Sequence, residues 1–290
     1  MEHSVHKTSL YRILSIVLLM ILAVLFVFPL YWIVTGSFKP QSEIISTVPT
    51  LFPQEPTMVN YEKLWQDKPV QWLFSGLMLA RPITWTLNTV FICAVAMLFT
   101  CITASMAGYA IAKKEFAGKK LVFSIFICAM ALPKQVILIP LLKEMSFLHL
   151  HDTPWAVIFP TVGWPFGVFL MKQFSENIPG SILEAARIDG AGETRTFTEI
   201  VFPMIKPGIG ALAIFTFITA WNDYFMQLLM LASRENWTIS LGIAKLQDSD
   251  AIDFGLIMAG AAIAAVPIVA IFLAFQRFFT RGITMGAVKG

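Results

Sequence analysis

Six stretches of this chain are long and apolar enough to cross a lipid bilayer, and that limits the fold more than any other feature. They run over about Leu10–Val34, Pro82–Ala112, Lys120–Leu142, Pro154–Met171, Pro207–Ala232 and Phe254–Phe279. A bilayer core takes about 20 residues of helix. Hydrocarbon offers no water to an open N–H or C=O, so each stretch must satisfy its backbone within itself, as a helix. The predicted fold class is therefore all-α and integral to the membrane, with six transmembrane helices. Composition agrees, since 13% of the 290 residues are charged, against about 25% in a soluble domain. Tyr11, Trp32, Trp85, Tyr109 and Trp155 lie near the ends of the stretches, where amphipathic rings settle at the membrane interface. Pro133, Pro165 and Pro267 lie inside them; such kinks are tolerated when neighbouring groups satisfy the freed carbonyls.

Basic residues set the orientation. Of the 21 Lys and Arg residues, 13 fall on the side holding the N-terminus, although the segments on the other side are longer in total. Basic residues are retained at the cytoplasmic face, so both termini are predicted cytoplasmic. Leu10–Val34 follows Lys7 and Arg12 as a signal peptide would, but a signal's apolar region spans about 7–15 residues and ends at a small-x-small site. This run is longer and leads into Pro29, Tyr31 and Trp32, which reads as an uncleaved first helix. The chain then divides into residues 1–35, the N-terminus and first helix; residues 36–81, an extracytoplasmic loop; and residues 82–290, a core of five helices. That core carries a hydrophilic cytoplasmic loop at 172–206. Pro40, Pro49, Pro53, Pro56 and Pro69 predict that the outer loop is an ordered, irregular cap rather than a flexible linker.

Several chemistries are excluded. Cys93, Cys101 and Cys128 lie in apolar stretches with no disulfide or metal spacing. Gly118-Lys119 resembles the end of a phosphate-binding loop, but Lys113 stands where its first glycine is needed and Lys120 replaces the Ser or Thr. His3, His6, His149 and His151 are terminal or in a short outer loop. No enzymatic site, cofactor or metal is assigned to the chain, and the small net charge of +3 gives no reason to expect nucleic acid.

The cytoplasmic loop has its own pattern. Ser181, with Glu184 three residues on, predicts a capping box. Gly190 fits the left-handed position after a helix end. A second short helix is expected over about Glu193–Phe202, with Phe197, Ile200 and Val201 on one face, before Pro203 and Pro207 lead into the fifth span. Ala185 and Ala186 leave a bare flank that a second protein surface could approach closely. Glu184 and Asp189 offer charge to a basic partner, or are simply solvated.

Glu184-Ala185-Ala186, Asp189-Gly190-Ala191, Phe197, Ile200, Pro203 and Pro207 together resemble the EAA motif of bacterial ATP-binding-cassette importer permeases. Trp221-Asn222-Asp223-Tyr224-Phe225 and the ending Gln276-Arg277-Phe278-Phe279 … Gly286-Ala287-Val288-Lys289-Gly290 resemble the sugar-importing branch, and within it the MalG-type subunit. The resemblance implies the type I importer permease fold in the bacterial cytoplasmic (inner) membrane. It implies a coupling helix in which Glu184, Ala185, Ala186, Arg187, Asp189, Gly190 and Ala191 dock a cytoplasmic ATPase dimer. It further implies a second, MalF-type permease, an extracytoplasmic sugar-binding protein, a carbohydrate cargo, and ATP with Mg held by the ATPase rather than by this chain. The binding protein is expected on the Gly36–Arg81 and Arg234–Asp253 loops, and the tail Gly282–Gly290 is expected to reach the ATPases.

Asp223 falls inside the fifth stretch, where a carboxylate costs about 2.5–3.5 kcal/mol on insertion scales. Trp221, Asn222, Tyr224 and Gln227 surround it in sequence, a mix of flat rings and polar groups suited to a sugar path. Asn222 and Asp223 either face that path or hold the bundle through a helix neighbour such as Asn88. Lys134 and Gln135, after Pro133, mark either a broken helix at a cavity or a structural kink, and we read a kink. An ion-coupled transporter would need carboxylates in several spans, and a membrane scaffold would leave the cytoplasmic motif without purpose.

Overall fold

A computed structural model of the protein describes residues 2–66, 69–72, 77–248 and 252–287, with side chains from Tyr11 to Ala274 within those ranges except that of Asp248. In chain order the helices are α1 (Glu2–Gly36), α2 (Gln41–Ile44), α3 (Val59–Gln66), α4 (Arg81–Lys113), α5 (Lys119–Met130), α6 (Lys134–Phe147), α7 (Trp155–Val162), α8 (Phe166–Glu176), α9 (Gly180–Ile188), α10 (Glu193–Arg195), α11 (Phe202–Trp221), α12 (Tyr224–Met230), α13 (Ile239–Lys245) and α14 (Phe254–Ala287). A two-residue antiparallel pair, β1 (Val70–Gln71) and β2 (Met78–Leu79), interrupts the α architecture.

Among the described residues, five helical segments are long and apolar enough to span a membrane, and α5 with α6, bent by 106°, meets the same test only when the two are taken together. The single kink expected at Pro133 is thus a full break. Pro133 is extended (φ −61°, ψ 131°); it has no N–H to offer, and it disfavours the helical region for the residue before it. Pro165 likewise precedes a new helix, α8, so α7 and α8 share one span with an interruption at Gly163–Pro165. The fifth span also differs from expectation. It begins at Glu193 and runs 29 residues to Trp221, absorbing the separate helix expected over 193–202. A π turn over Thr196–Val201 joins α10 to α11, and Pro203 sits in the first turn of α11, where its missing donor does least harm. The stretch does not continue to Ala232, because the helix ends at Asn222 and restarts as α12. Val288–Gly290 and all side chains from Phe275 onward lie outside the described residues, and with them most of the sugar-branch ending.

The chain forms two compact units. One takes in α1 to α3 with Ile243–Val266. There residues 37–66 of the outer loop are ordered, as the prolines among them predict. The buried Asn60 amide donates to the carbonyls of Ser37 (2.9 Å) and Lys39 (2.8 Å). The buried Lys39 ammonium donates to the Thr50 carbonyl and lies 4.7 Å from the Trp32 ring centroid. Lys63 pairs with Asp253 at 2.6 Å. These ties fold residues 37–66 into a cap in which the short helices α2 and α3 are joined by irregular chain.

The second unit, centred on Ile83–Gly242, holds two buried clusters. One joins Ile92 and Ala96 of α4 to Leu138 and Met145 of α6, Val157 and Ile158 of α7, and Met226 and Met230 of α12. The other joins Ala104 and Tyr109 of α4 to Met171 of α8, Ile178, and Val201, Ile205 and Leu212 of the fifth span. Lipid tails are as apolar as leucine, so helices in a membrane associate through close packing at small residues. At Gly108 the close neighbour is backbone, since a Cβ there would lie 2.6 Å from the Lys172 backbone nitrogen.

Asp152 closes one end of this unit. Its Oδ1 accepts from the backbone N–H groups of Ala232 (2.8 Å) and Ser233 (2.9 Å), its Oδ2 accepts from the Ser233 hydroxyl, and the Asn236 amide donates to its carbonyl (2.6 Å). The residue adopts φ 59°, a left-handed geometry that Asp tolerates. Burial pushes the carboxyl pKa up, and the donors from Ser233, Ala232 and Asn236 outweigh that and hold it below the ordinary carboxylate range.

Two predictions arise here. Gly108→Ala should destabilise the detergent-solubilised protein by about 1–3 kcal/mol through overpacking, read as a lowered unfolding midpoint. Because the folded-state pKa of Asp152 is depressed, its contribution is complete above the ordinary carboxylate pKa and is lost as pH falls through the lowered value. Asp152→Asn should therefore lower stability at neutral pH and flatten its acid dependence, as followed by thermal unfolding between neutral and acid pH.

Candidate functional site

Two features of the second unit stand out, one at the end of the bundle opposite Asp152 and one inside it. At the end, α9 starts after Pro179 (φ −61°, ψ 134°) with no side-chain cap. The helix begins at Gly180, so Ser181 is already inside the first turn and the expected capping box with Glu184 does not form. The other end matches the sequence reading. Gly190 has φ 77°; its N–H donates to the Arg187 carbonyl (3.1 Å), and the Ala191 N–H donates to the Ala186 carbonyl (2.9 Å). That is a Schellman motif, whose left-handed residue favours glycine.

Helical neighbours point about 100° apart, so Ala185 and Ala186 do not share a flank as expected. Ala186 is buried and Leu183 packs into the second cluster, whereas Glu184, Ala185, Arg187 and Asp189 face outward. Ile188 is 87% exposed. Sequence reasoning missed it because an isoleucine in a helix reads as core; its signal is that it falls off the stripe formed by Leu183 and Ala186. The Lys113 ammonium at the end of α4 donates to the carbonyls of Glu176 (3.0 Å) and Ile178 (2.7 Å), fixing the entry to α9. Lys114 pairs with Glu193 and lies 5.3 Å from the Tyr109 ring centroid, and that ring packs on Phe197. The helix is thus held at both ends, and among the described residues the side chains of its outward face make no hydrogen bond or ion pair within the protein.

Inside the unit, three helix breaks supply neighbouring side chains. Lys134 opens α6, Trp164 lies between α7 and α8, and Asp223 lies between α11 and α12. Lys134 Nζ is 3.3 Å from Asp223 Oδ2 and 4.8 Å from the Trp164 ring centroid. Asp223 caps α12, its Oδ1 accepting from the Met226 N–H at 3.4 Å. It therefore sits at a helix start and not within a continuous span. Irregular backbone at membrane depth is tolerated only where protein or a polar cavity covers it, and here a cleft of about 370 Å³ is lined by Lys134, Thr161, Trp164 and Met226 among others.

The residues expected on the path divide. Asn222 is exposed, its amide donating to the Ile218 carbonyl (2.9 Å), and Asp223 and Tyr224 are half-buried. Trp221, Gln227 and Asn88 are buried in structural roles. Trp221 stacks on Phe217, and Gln227 donates to the Ala220 carbonyl (2.8 Å) and accepts from the Thr238 hydroxyl. Asn88 donates to the carbonyls of Glu235 (2.7 Å) and Trp237 (2.9 Å), not to Asn222 or Asp223. The carboxylate's partner is Lys134. Trp164 and Thr161 escaped notice, although Pro160 and Pro165 around them marked an interrupted span. Among the described residues no cluster of His, Cys, Asp and Glu could hold a metal ion.

This architecture is that of an importer membrane subunit. It superposes on a chain of a bacterial ABC transporter involved in the import of the acidic polysaccharide alginate with a TM-score of 0.77, at 21% identity, covering 93% of this chain and 96% of that one. In sequence, the chain is 32% identical over 286 residues to the arabinooligosaccharides transport system permease protein AraQ of Bacillus subtilis, covering 97% of both. It is 29% identical over 283 residues to the trehalose/maltose transport system permease protein MalG of Thermococcus litoralis, covering 96% of this chain and 97% of that one. Residues 102–285 match the model for the inner membrane component of binding-protein-dependent transport systems, and the chain belongs to that family. It is a multi-pass, non-enzymatic permease subunit of that family.

The ion pair gives a test of the interior. Lys134→Met or Asp223→Leu alone should each cost about 1.5–3 kcal/mol, the scale of a hydrogen bond to a charged group. The double variant should cost less than the two single effects added, because no lone charge remains. Unfolding midpoints of the three variants in detergent measure the coupling.

Proposed function

We propose that this chain is one of two permease subunits lining the path of an ATP-driven carbohydrate importer, and that α9 is its coupling helix. The observation that carries the reading is α9 itself, a short helix clamped at both ends that turns Glu184, Ala185, Arg187, Ile188 and Asp189 outward. Sugars as cargo are suggested by the relatives, whose names specify arabinooligosaccharides, trehalose and maltose. The same reading gives the chain a MalF-type partner, a cytoplasmic ATPase dimer that binds ATP and Mg, and an extracytoplasmic binding protein. It puts both termini and α9 in the cytoplasm and docks the binding protein on the Gly36–Arg81 and Arg234–Asp253 loops.

The mechanics rest on one rod. After Gly192 the chain runs as a single helical segment from Glu193 to Trp221. At 1.5 Å per residue this is about 43 Å long, and it ends at Asn222 and Asp223. A displacement of α9 by closing ATPases passes through the Gly190–Gly192 turn into this segment and so reaches the interior break. ATP shifts the importer between inward- and outward-facing states to the extent that the ATPase contacts on α9 differ between them. Asn222 and Asp223 face the translocation cavity in this scheme, whereas Trp221, Gln227 and Asn88 brace its wall.

Co-purification of the assembled complex tests the docking role. Glu184→Lys, Ile188→Asp and Gly190→Pro should each release the ATPase while the partner permease stays bound; proline cannot adopt the positive φ at position 190. Retention of the ATPase with unchanged ATP-driven uptake in all three would refute α9 as the coupling element.

A further inference from the structure

The meeting point of the three helix breaks holds more hydrogen-bonding capacity than the protein uses. Lys134 carries three N–H donors and Asp223 about four acceptor sites. Among the described residues, the Lys134 ammonium makes its one polar contact to Asp223 at 3.3 Å, and the Asp223 carboxylate otherwise accepts only from the Met226 N–H at 3.4 Å. A charged N–H···O pair is ordinarily about 2.7–2.9 Å long, so this one is loose. Thr100, 4% exposed, has a hydroxyl with no partner. Thr100, Thr161, Thr216 and Thr219 line a narrow crevice that shares Lys134 and Trp164 with the 370 Å³ cleft. The site is thus an aromatic face, a cation, a carboxylate and a row of hydroxyls.

Its resting arrangement is costly. Lys134 opens a helix, where the dipole repels a cation, and a charge at membrane depth costs about 2.5–3.5 kcal/mol on insertion scales. The loose carboxylate and the Trp164 face are what offset that cost.

We propose that Trp164, Lys134 and Asp223 form a carbohydrate subsite carried by this chain, in which Lys134 covers the Trp164 face until a sugar ring displaces it. The proposal rests on the reading that Asn222 and Asp223 face the path. The apolar face of a pyranose replaces the ammonium on the indole, much as aromatic faces hold flat ligands elsewhere. A sugar hydroxyl donates and accepts at once, so it satisfies the Lys134 donors and the Asp223 acceptors that the resting pair leaves unused. The cleft volume lies within the range of about 300–1,000 Å³ found for small-molecule sites.

The test uses the assembled importer in proteoliposomes, with Cys128→Ser removing the exposed native thiol and Thr219→Cys placed as a reporter. Labelling by a small hydrophilic thiol reagent is timed with maltotriose, raffinose or arabinotriose and without sugar. At least one of these sugars should slow labelling about tenfold, and adding Trp164→Ala should abolish that protection, a loss equivalent to about one stacking contact. Trp164→Phe, which keeps a ring, should retain most of it. A reporter closed to the reagent in every state, protection by none of the three sugars, or protection that survives Trp164→Ala overturns the subsite. Labelling of Asn222→Cys in the same vesicles separates the two readings. If position 222 is closed in every ATP state, the path assignment fails and the subsite with it. If it is open and the reporter gains no protection from sugar, the subsite alone fails.

Discussion

Hydrocarbon does not satisfy a backbone hydrogen bond, and the architecture follows from that constraint. Each span is helical because nothing else closes its own N–H and C=O groups. A break inside a span is therefore expensive wherever lipid touches it; the breaks at Leu132–Pro133 and Gly163–Pro165 line one cleft, and the break at Asn222–Asp223 meets it through the contact of Asp223 with Lys134. Side chains replace part of the missing backbone pairing, as when Asp223 accepts from the Met226 N–H at the start of α12. The polar interior exists because the helices stop there.

Around this interior the second unit is stiff at both ends for different reasons. Asp152 gathers four donors from the Ala232–Asn236 turn. At the other end, Lys113 ties down the carbonyls before α9 and the Schellman turn at Gly190 ties down those after it. Between the two ends, contact through small residues such as Ala104 and Gly108 leaves little room for the helices to slide locally. Packed cores respond to force as discrete rearrangements rather than as gradual deformation. The continuous rod from Glu193 to Trp221 is suited to carry such a rearrangement from the surface helix to the breaks.

The sequence by itself determined the class and the outline. Hydrocarbon length and self-satisfied backbone made the apolar stretches helices, and Pro40, Pro49, Pro53 and Pro56 marked residues 37–66 as an ordered cap. The spacing from Glu184 to Pro207 was specific enough to point to the importer permeases, and Gly190 declared its left-handed turn because few other residues accept one. These signals are local: each depends on a residue and its near neighbours in the chain.

Tertiary structure decided everything that depends on which residues, distant in sequence, meet. Periodicity could not tell a kink at Pro133 from a 106° break, because proline permits either and the packing of α6 against α7 and α12 selects one. Nor could composition pair Lys134 with Asp223, 89 residues away, or separate a half-buried Asp223 from a buried Gln227 four positions on. Ala185 and Ala186 read alike in sequence, yet one faces outward and the other inward, since only the body beneath α9 fixes its rotation. Ile188 looks like core and stands exposed for the same reason. A single chain encodes its solvent through composition, but it encodes its contacts only through the fold.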